Sequence, residues 1–363
     1  MNGERVLVAL SGGVDSGVAA ALLVEQGYQV SGAMLHLWAE PGPDEARANA
    51  CCTHEAVNRA RQVADQLGIP FSLIEAEAEF KAQVVDYFVA EYGAGRTPNP
   101  CVPCNRNVRF GWLLNQTLES GTTHIATGHY ARVQRSKGRY QLLRGRDPKK
   151  DQAYFLHTLT QEQLAHIIFP LGDLTKEEVR GIARRRGLPV AEQPESQDVC
   201  FVADGNYRRF LAQQAPRLFR PGPIRDTSGR ILGRHQGLPA YTIGQRKGLG
   251  IAAPEPLYVL AIEPAENVLI VGTAEELSRD ECAVEEMHYV SGETPTALFP
   301  ATAQIRYRAR PVEATVTPLP HGKAHVRFTS PQRDITPGQF LVLYEGETVL
   351  GGGVICIPSQ PML

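Results

Sequence analysis

Short apolar runs and amphipathic stretches alternate along the first half of the chain. Residues 6–10 form a continuous apolar run, which is typical of a central strand in a parallel sheet. Further strands are predicted at residues 29–38, 71–74 and 124–127. Helices are predicted at residues 16–26, 53–68, 80–92, 105–118 and 175–186, the last opening on a capping box. Strands that alternate with helices predict an α/β fold with a doubly wound parallel sheet.

The pattern changes near Gly205. Residues 221–250 are rich in glycine and other turn formers, with only short apolar stretches between them. From about Glu281, apolar and polar residues alternate with a period of two, which predicts short β-strands. These strands are expected at residues 303–307, 312–316, 324–328 and 340–344. We therefore predict three domains: an α/β domain over residues 1–204, a small central domain over 205–273 and a C-terminal β-barrel over 274–363.

The composition is ordinary for a soluble globular protein, with 43% hydrophobic and 21% charged residues. No apolar run approaches the roughly 20 residues that span a bilayer, and the first residues lack the apolar core of a signal peptide. A cytoplasmic location without a membrane partner is therefore expected. The formal net charge of −2 does not by itself indicate a nucleic-acid partner, but local basic clusters such as Lys149–Lys150 leave one open.

A glycine-rich hexapeptide, Ser11-Gly12-Gly13-Val14-Asp15-Ser16, joins the first predicted strand to the first helix. Its two glycines let the backbone approach an anion, and the following helix N-terminus offers free N–H groups and a favourable dipole. The loop lacks the Gly-Lys-Ser/Thr ending of a Walker A motif, and Asp15 suits a Mg²⁺ ligand beside phosphates. The sequence therefore predicts a phosphate-binding loop, with a tight turn that binds no ligand as the alternative.

The seven cysteines indicate sulfur chemistry more than structural cross-linking. Their odd number and the expected reducing compartment argue against a disulfide framework. Cys104 directly precedes a predicted helix, whose dipole favours a thiolate, and Cys200 lies in a second loop. One such cysteine can carry a persulfide, and the other can release the sulfur by forming a disulfide. Cys282 and Cys356 are expected to be structural residues of the barrel.

The hexapeptide resembles the signature of the PP-loop ATP pyrophosphatases, a superfamily that cleaves ATP between its α and β phosphates and forms adenylated intermediates. Longer motifs along nearly the whole chain resemble the bacterial tRNA-specific 2-thiouridylase family, which thiolates C2 of the wobble uridine. These motifs occupy residues 95–100, 126–130, 150–156, 244–250, 306–308 and 336–339. The resemblance implies a PP-loop domain, a small central domain and a β-barrel, which agrees with the division predicted from the pattern.

The resemblance also implies roles for individual residues. Cys104 corresponds to the nucleophile and Cys200 to the persulfide carrier, with Asp15 in the catalytic set. ATP would be bound by Ala9, Leu10, Ser11, Gly12, Gly13, Val14, Asp15 and Ser16, with Met34 and Gly128 lining the adenosine pocket. Contacts with tRNA are implied for Asn99, Pro100, Cys101, His129, Lys150, Asp151, Gln152, Arg306, Tyr307 and Gln339. The implied partners are the anticodon stem-loop of tRNA and a cysteine desulfurase or sulfur-relay protein, and a monomer is expected.

Cys101 departs from the family's pattern. The best-known members have aspartate there, whereas this chain has Cys-x-x-Cys, so any role of that carboxylate is left open. Cys101, Cys104 and Cys200 then form a set of three thiols that could hold a four-iron, four-sulfur cluster, as an alternative to a Cys104–Cys200 disulfide. The adjacent Cys51 and Cys52 are expected in a surface loop, with a metal site that also includes His54 as the less favoured alternative, because adjacent cysteines rarely bind one ion together.

On this interpretation, ATP with Mg²⁺ activates the C2 oxygen of a flipped-out uridine as its adenylate and releases pyrophosphate. Sulfur from the Cys200 persulfide then displaces AMP. A small-molecule ligase of the same superfamily is the alternative enzyme, although the chain shows no glutaminase segment. A nucleotide-sensing module that binds RNA or an iron–sulfur cluster is the non-enzymatic alternative.

Overall fold

The structure is a computed structural model that describes residues 3–40, 53–193, 199–202 and 204–356. Cys51 and Cys52, for which a surface loop is expected, lie outside the described residues, as do residues 196–198 next to Cys200. Within the described residues, no helix is both long and apolar enough to cross a membrane.

The first part of the chain contains both helices and strands, and the part after Gln214 consists mainly of β-strands. The strands are β1 (Arg5–Ala9), β2 (Gln29–His36), β3 (Phe71–Glu75), β4 (His124–Ala126), β5 (Ala131–Ser136), β6 (Arg139–Arg144), β7 (Ile167–Ile168), β8 (Gly222–Arg225), β9 (Ile231–His235), β10 (Tyr258–Glu263), β11 (Val268–Gly272), β12 (Arg279–Tyr289), β13 (Phe299–Gln304), β14 (Val312–Leu319), β15 (Lys323–Gln332), β16 (Phe340–Glu345) and β17 (Thr348–Cys356). The α-helices are α1 (Val14–Glu25), α2 (His54–Leu67), α3 (Glu77–Phe80), α4 (Asp86–Gly93), α5 (Cys101–Pro103), α6 (Leu114–Glu119), α7 (Gln161–Leu164), α8 (Lys176–Arg185) and α9 (Tyr207–Gln214). Wider π-helical turns occupy Lys81–Val85 and Cys104–Leu113, and 3₁₀ turns occupy Ala153–Leu156, Pro216–Leu218 and Leu238–Ala240.

Five parallel strands form the first sheet in the order β3-β2-β1-β4-β7. Strand β1 is central, and its Val6 and Val8 are fully buried. The chain moves from β1 to β2 on one side and to β4 on the other, so the winding reverses between β1 and β4. The predicted doubly wound sheet is thereby confirmed. Ligands of such sheets bind beyond the carboxyl ends of the strands at this reversal.

The helix ends follow local capping chemistry. Thr53 caps α2 through its hydroxyl, which accepts a hydrogen bond from the Ala56 N–H at 3.1 Å. The predicted capping box of α8 is confirmed, because Thr175 and Glu178 exchange side-chain and backbone hydrogen bonds. These caps fix where α2 and α8 begin, and both first turns lie beside the glycine-rich loop or its contacts.

The helix predicted at residues 105–118 is π-helical over Cys104–Leu113. A π-helix pairs residues i and i+5, which widens the helix and is rare outside functional sites. Gly111 permits the widening, because a Cβ there would lie 2.8 Å from the Arg106 carbonyl oxygen. Binary patterning does not distinguish this geometry from an ordinary α-helix, so the sequence prediction missed it.

The second half holds two further sheets. In the central region, β10, β11, β8 and β9 form a four-stranded sheet, with β11 and β8 parallel. In the C-terminal region, β12, β15, β14, β13, β16 and β17 close into a ring, because β12 also pairs with β17. The predicted C-terminal barrel is therefore confirmed. The hairpin β5–β6, which the sequence analysis did not predict, comes from the α/β region and extends this sheet by pairing Leu143 with Thr348.

One predicted barrel strand is displaced along the chain, because β13 begins at Phe299. Residues 303–307 were expected to be extended, but β13 ends at Gln304 and the next three residues turn. The turn carries Arg308 in the left-handed region at φ 68° and brings the Tyr307 ring to 4.3 Å from that of Phe155. The strand therefore ends where the chain packs against the α/β region, a long-range contact that an alternating pattern cannot reveal.

Candidate active site

A cavity of about 330 Å³ opens at the carboxyl ends of β1, β2 and β4. Its wall includes, from the sequence-predicted site, Ala9, Leu10, Ser11, Asp15, Ser16, Met34, Pro100, Cys101, Cys104, Gly128, His129, Gln152 and Cys200. The structure thus brings the predicted ATP loop, the adenosine residues and all three loop thiols to one place. The predicted residues outside this wall are Gly12, Gly13 and Val14 of the loop itself, and Asn99, Lys150, Asp151, Arg306, Tyr307 and Gln339.

The glycine-rich loop is held in a fixed shape by its own side chains. The buried Ser16 hydroxyl accepts a hydrogen bond from the Ser11 N–H at 3.1 Å and donates to the Gly13 carbonyl at 3.2 Å. Gly12 has φ 69°, and a Cβ there would lie 2.4 Å from the Ala56 carbonyl oxygen of α2. Gly13 is the N-cap of α1 and carries no side chain to cover the first-turn N–H groups. The loop therefore presents a preformed helix N-terminus to the cavity.

Asp15, in the first turn of α1, is paired with a lysine that the sequence analysis did not single out. Lys176 Nζ lies 2.7 Å from both carboxylate oxygens, and the Tyr130 hydroxyl donates to Oδ1 at 2.8 Å. The Lys176 side chain is 12% exposed and that of Asp15 is 33% exposed, so the pair is shielded but reachable from the cavity. Lys176 is the first residue of α8, so the α8 capping box sets its position.

The glycine of the β4 turn completes the loop's surroundings. A Cβ on Gly128 would lie 2.8 Å from the Ser16 backbone nitrogen. The two chain segments therefore touch through backbone, and any side chain at 128 would displace the first turn of α1. Met34 is buried in β2, which lies on the other side of β1 from β4. Met34 and Gly128 therefore flank the glycine-rich loop on its two sides.

The two thiols with predicted chemical roles share one hydrophobic cluster. Cys104 is buried, Cys200 is partly buried against the same cluster, and Cys101 is exposed. Phe201, next to Cys200, is fully buried with its ring 5.3 Å from that of Phe88 and 5.4 Å from that of Phe210. The phenylalanine anchors the Cys200 segment, so Cys200 faces the same cavity as Cys104.

The π-helix places a cation on the wall that carries Cys104. In this helix residue i+5 lies above residue i, so Arg109 follows Cys104 along one face, and both line the cavity. The guanidinium is oriented by Asn105, whose Oδ1 accepts from it at 2.9 Å. Arg106, by contrast, contacts Asn107 and lies 3.8 Å from Glu286 of the barrel.

His129 is a neutral histidine. Burial, reinforced by the nearby Arg109 charge, lowers its pKa to about 3. Its Nδ1 is 2.7 Å from the Thr127 hydroxyl, and its ring packs between Phe110 and Phe169. At neutral pH it can offer a hydrogen bond to a ligand but cannot act as a proton donor from an imidazolium.

The loop at residues 95–101 is braced by the barrel. Gln339 Nε2 donates to the Thr97 carbonyl at 2.8 Å, and the Thr97 N–H donates to the Pro337 carbonyl at 2.9 Å. Within the loop, the Asn99 side chain accepts from the Cys101 N–H at 3.1 Å. The barrel therefore touches the segment that leads directly into Cys101 and Cys104.

A second contact joins the barrel to residues 150–156, because the Tyr154 hydroxyl donates to the Phe340 carbonyl at 2.9 Å. The Asp151 carboxylate is nearly buried and accepts from the backbone N–H groups of Gly145 and Ala153, each at 3.0 Å, and from Arg144 at 3.1 Å. Asp151 therefore organises this turn, while Gln152 continues to the cavity wall. On the barrel side, Arg306 lies 3.3 Å from Asp334 and is half exposed.

The described residues contain no group of three or more histidine, cysteine or acidic residues arranged to hold a metal ion. The structure therefore gives no support to the predicted iron–sulfur alternative at Cys101, Cys104 and Cys200. It also shows Asp15, predicted as a Mg²⁺ ligand, with both oxygens in contact with Lys176.

The residues that sequence reasoning missed are Lys176, Arg109 and Tyr130. Tyr130 lies within the motif of residues 126–130 and Lys176 within the α8 capping box, and neither pattern indicates a contact with Asp15. Their distance along the chain from Asp15 and Cys104 hides their proximity. For Arg109, the missing signal is the π-helical register.

Comparisons with known proteins agree with this architecture. A tRNA methyl transferase HUP domain model matches residues 4–204, a tRNA methyl transferase PRC-barrel domain model matches 208–273, and an aminomethyltransferase beta-barrel domain model matches 279–355. The chain is 51% identical to the tRNA-specific 2-thiouridylase MnmA of Magnetococcus marinus, over 97% of this chain and 99% of that protein. It is 52% identical to the tRNA-specific 2-thiouridylase MnmA of Moorella thermoacetica, over 96% and 98% of the two chains.

Among solved structures, the U34-tRNA thiolase NcsA from Methanococcus maripaludis with its 4Fe-4S cluster is similar at a TM-score of 0.34 and 20% identity. That likeness covers 59% of this chain and 67% of the other, and at this level it supports no conclusion about the present site.

Proposed function

The chain belongs to the tRNA-specific 2-thiouridylase family, and we propose that it uses ATP to adenylate the C2 oxygen of a tRNA wobble uridine and replaces that oxygen with sulfur. The observation that carries the proposal is the single cavity that joins the α1 N-terminus to Cys104 and Cys200. A nucleotide site and a pair of thiols in one enclosure fit a reaction that activates an oxygen and then substitutes sulfur.

ATP would lie with its phosphates on the N-terminus of α1 and its adenosine between Met34 and Gly128. The exposed Ser11 and the first-turn N–H groups supply donors, and the dipole favours the phosphate charge. Lys176 stands at the same end and would move from Asp15 to the leaving pyrophosphate. These assignments belong to the proposed domain of residues 1–204.

Mg²⁺ would enter with ATP, held mainly by its phosphates and by water, since this ion keeps several waters and binds few carboxylates. Asp15 is the carboxylate nearest the loop, but its oxygens face Lys176 and would become ligands only after that contact opens. The proposed movement of Lys176 towards the leaving pyrophosphate would open this contact and free the Asp15 carboxylate for the ion.

The uridine would enter beside Pro100 and Cys101, where the cavity wall meets the braced loop. Its C2 oxygen attacks the α-phosphorus of ATP, and pyrophosphate leaves. The terminal sulfur of the Cys200 persulfide then attacks C2, and AMP leaves, giving a C2–S–S–Cys200 adduct. The Cys104 thiolate attacks the Cys200 sulfur, which releases 2-thiouridine and leaves a Cys104–Cys200 disulfide for reduction by an external dithiol.

An equivalent order begins at the persulfide itself. Cys104 attacks the Cys200 sulfur, hydrosulfide leaves with the terminal sulfur, and hydrosulfide displaces AMP from C2. Both orders consume one ATP and end with the same disulfide. In both, Arg109 lies on the Cys104 face and would favour the thiolate and the departing AMP. Neutral His129 would hydrogen-bond the base or ribose without carrying charge into the pocket.

The tRNA contacts are proposed for two surfaces that the barrel shares with the α/β region. One comprises Asn99, Pro100 and Cys101 with Gln339; the other comprises Lys150, Asp151 and Gln152 with Arg306 and Tyr307. Because each surface combines segments from both regions, RNA bound there would bridge the proposed barrel of residues 274–363 and the cavity. The proposed central domain is residues 205–273.

The proposed sulfur donor is a cysteine desulfurase or a relay protein that delivers a persulfide to Cys200. The chain is proposed to act as a monomer, and to act in the cytoplasm because the proposed substrate is tRNA. Partial burial of Cys200 means that the donor reaches it from the open side of the cavity.

The test is a product analysis with the purified chain, tRNA carrying an unmodified wobble uridine, ATP and a persulfide donor. The proposal expects AMP and pyrophosphate in equal amounts, with one 2-thiouridine per AMP in the first turnover. Formation of ADP, or ATP cleavage with no sulfur in the tRNA under any donor supply, would contradict it.

A further inference from the structure

Arg209 joins two chain segments that each contribute residues to the cavity wall, one through Leu37 and the other through Cys200. Its guanidinium donates to both oxygens of Glu40, each at 2.7 Å, and to both oxygens of Asp204, at 2.6 and 3.1 Å. It also contacts Gln213 one turn further along α9. Such two-carboxylate contacts from one guanidinium are directional, since its N–H groups project in a fixed plane.

One carboxylate follows the strand that lines the proposed adenosine site, and the other follows the proposed sulfur carrier Cys200. Glu40 lies just beyond β2, the strand that carries Met34 and leads into Leu37 on the cavity wall. Asp204 lies four residues after Cys200. The Arg209 side chain therefore connects the end of the adenosine-lining strand to the segment that carries the proposed persulfide.

The Glu40 arm is the shielded one. The Glu40 side chain is 9% exposed, whereas that of Asp204 is 48% exposed. A buried carboxylate that loses its cation is costly, so Glu40 and Arg209 hold each other in place. The adjacent aromatic contact between Trp38 and Phe210, with ring centroids 6.2 Å apart, closes the same junction.

The neighbouring residue Arg208 carries the same charge as Arg209 but does not make the same contacts. Arg208 donates to the Tyr207 hydroxyl at 3.4 Å and to Gln245 at 3.5 Å, and it lies 5.7 Å from the centroid of the Tyr207 ring. Within the part of the chain that the structure describes, it forms no ion pair with a carboxylate. Two consecutive arginines on α9 thus differ in what they hold. Arg208 serves as a matched control for Arg209.

We propose that Arg209 is a positioning residue that sets where Cys200 stands relative to the adenylated base, through its simultaneous contacts with Glu40 and Asp204. The proposal rests on the proposed function, in which Cys200 delivers sulfur and takes no part in adenylation. These two contacts of Arg209, with Glu40 and with Asp204, are called the clamp below. Loss of the clamp would leave the glycine-rich loop and its contacts intact but let the Cys200 segment move away from C2 of the uridine and from Cys104.

The distinguishing readout separates the two half-reactions. In Arg209→Gln, single-turnover pyrophosphate release is expected to stay within about twofold of wild type. This corresponds to a change of under about 0.5 kcal/mol in the activation free energy of adenylation. Sulfur incorporation is expected to fall by about tenfold or more, since misplacing a reacting group by about 1 Å costs up to roughly 10²-fold. Glu40→Gln should reproduce the effect, Arg209→Lys should restore part of it, and Arg208→Gln should leave both rates unchanged.

A second measurement needs neither tRNA nor a sulfur donor. Formation of the Cys104–Cys200 disulfide under a mild thiol oxidant, followed by mass spectrometry, should slow in Arg209→Gln and Glu40→Gln but not in Arg208→Gln. Equal losses of pyrophosphate release and sulfur transfer would overturn the proposal in favour of a general folding role, and unchanged sulfur transfer would overturn it as well. If wild type forms the disulfide but never thiolates tRNA, the proposed function fails while the clamp remains tested by the oxidation rates.

Discussion

Replacing Lys176 with methionine should disable adenylation while the fold persists. Lys176 Nζ lies 2.7 Å from both oxygens of Asp15 at the N-terminus of α1, where the phosphates of ATP are proposed to bind. Methionine keeps the length and apolar stem of the side chain but removes its charge. The substitution therefore removes the cation beside Asp15 and leaves the carboxylate with only the neutral hydrogen bond from the Tyr130 hydroxyl, facing the phosphates.

The magnitude follows from the geometry and exposure of the pair. At an effective dielectric constant near 20, two unit charges about 4 Å apart interact by about 4 kcal/mol. Partial exposure of Asp15, at 33%, reduces this value through solvent screening. Removing one preorganised donor from a developing negative charge typically costs 10²–10³-fold, or about 2.7–4 kcal/mol. We therefore expect pyrophosphate release in Lys176→Met to slow by about 10²–10³-fold.

The assay is quenched-flow measurement of pyrophosphate released in a single turnover, with tRNA in excess and ATP varied. Lys323→Met is the control, because Lys323 also pairs with a carboxylate, Glu285 at 3.0 Å, but lies on the barrel. Adding Asp15→Asn to Lys176→Met should improve apparent ATP binding by removing the repulsion without restoring the rate. A Lys176→Met rate and ATP dependence both within about threefold of wild type would refute the reasoning.

Three further predictions follow from single features. Gly12→Ala should abolish ATP binding measured by calorimetry, because its Cβ would lie 2.4 Å from the Ala56 carbonyl oxygen at φ 69°; near-normal binding would contradict the loop geometry. His129 and His157, with pKa values lowered by burial to about 3 and about 4, resist protonation in the fold. The unfolded chain takes up those protons as pH falls below about 6.5. The unfolding free energy measured by urea titration should therefore drop by up to about 1.4 kcal/mol per pH unit for each histidine, and these two residues should cause no pH dependence above pH 7. His157→Gln should remove the part of this pH dependence that comes from His157. Cys101→Ser should retain thiolation within about threefold, because the disulfide route needs only the other two thiols; a complete loss accompanied by bound iron in the wild type would favour the cluster.

Much of the fold was predictable because its signals are local. The continuous apolar β1, the helix predicted at residues 53–68 and the capping box at Thr175 each depend on nearby residues, and all are confirmed. The shift to a period of two correctly predicted the barrel. The β5–β6 hairpin was missed because its partner is β17, about two hundred positions later, and its own sequence lacks a strong alternation.

The candidate site was predictable in its parts but not in its internal contacts. The glycine-rich loop and the loop thiols were identified, and the structure places most of them on one cavity wall. What the sequence could not show is the pairing of Asp15 with Lys176, 161 positions away, or the bridge from Glu40 to Arg209, 169 positions away. Such contacts depend on where the sheet and helices bring distant segments, and no short-range pattern encodes them.

The central claim is that one cavity adenylates the base and that Cys200 enters only afterwards, as the sulfur carrier. The most direct test is a single-turnover reaction of Cys200→Ser with ATP and unmodified tRNA, in which pyrophosphate and 2-thiouridine are measured together. The account predicts pyrophosphate release at a rate close to that of wild type and no detectable 2-thiouridine. Loss of pyrophosphate release in step with thiolation, or thiolation that survives without Cys200, would contradict the account.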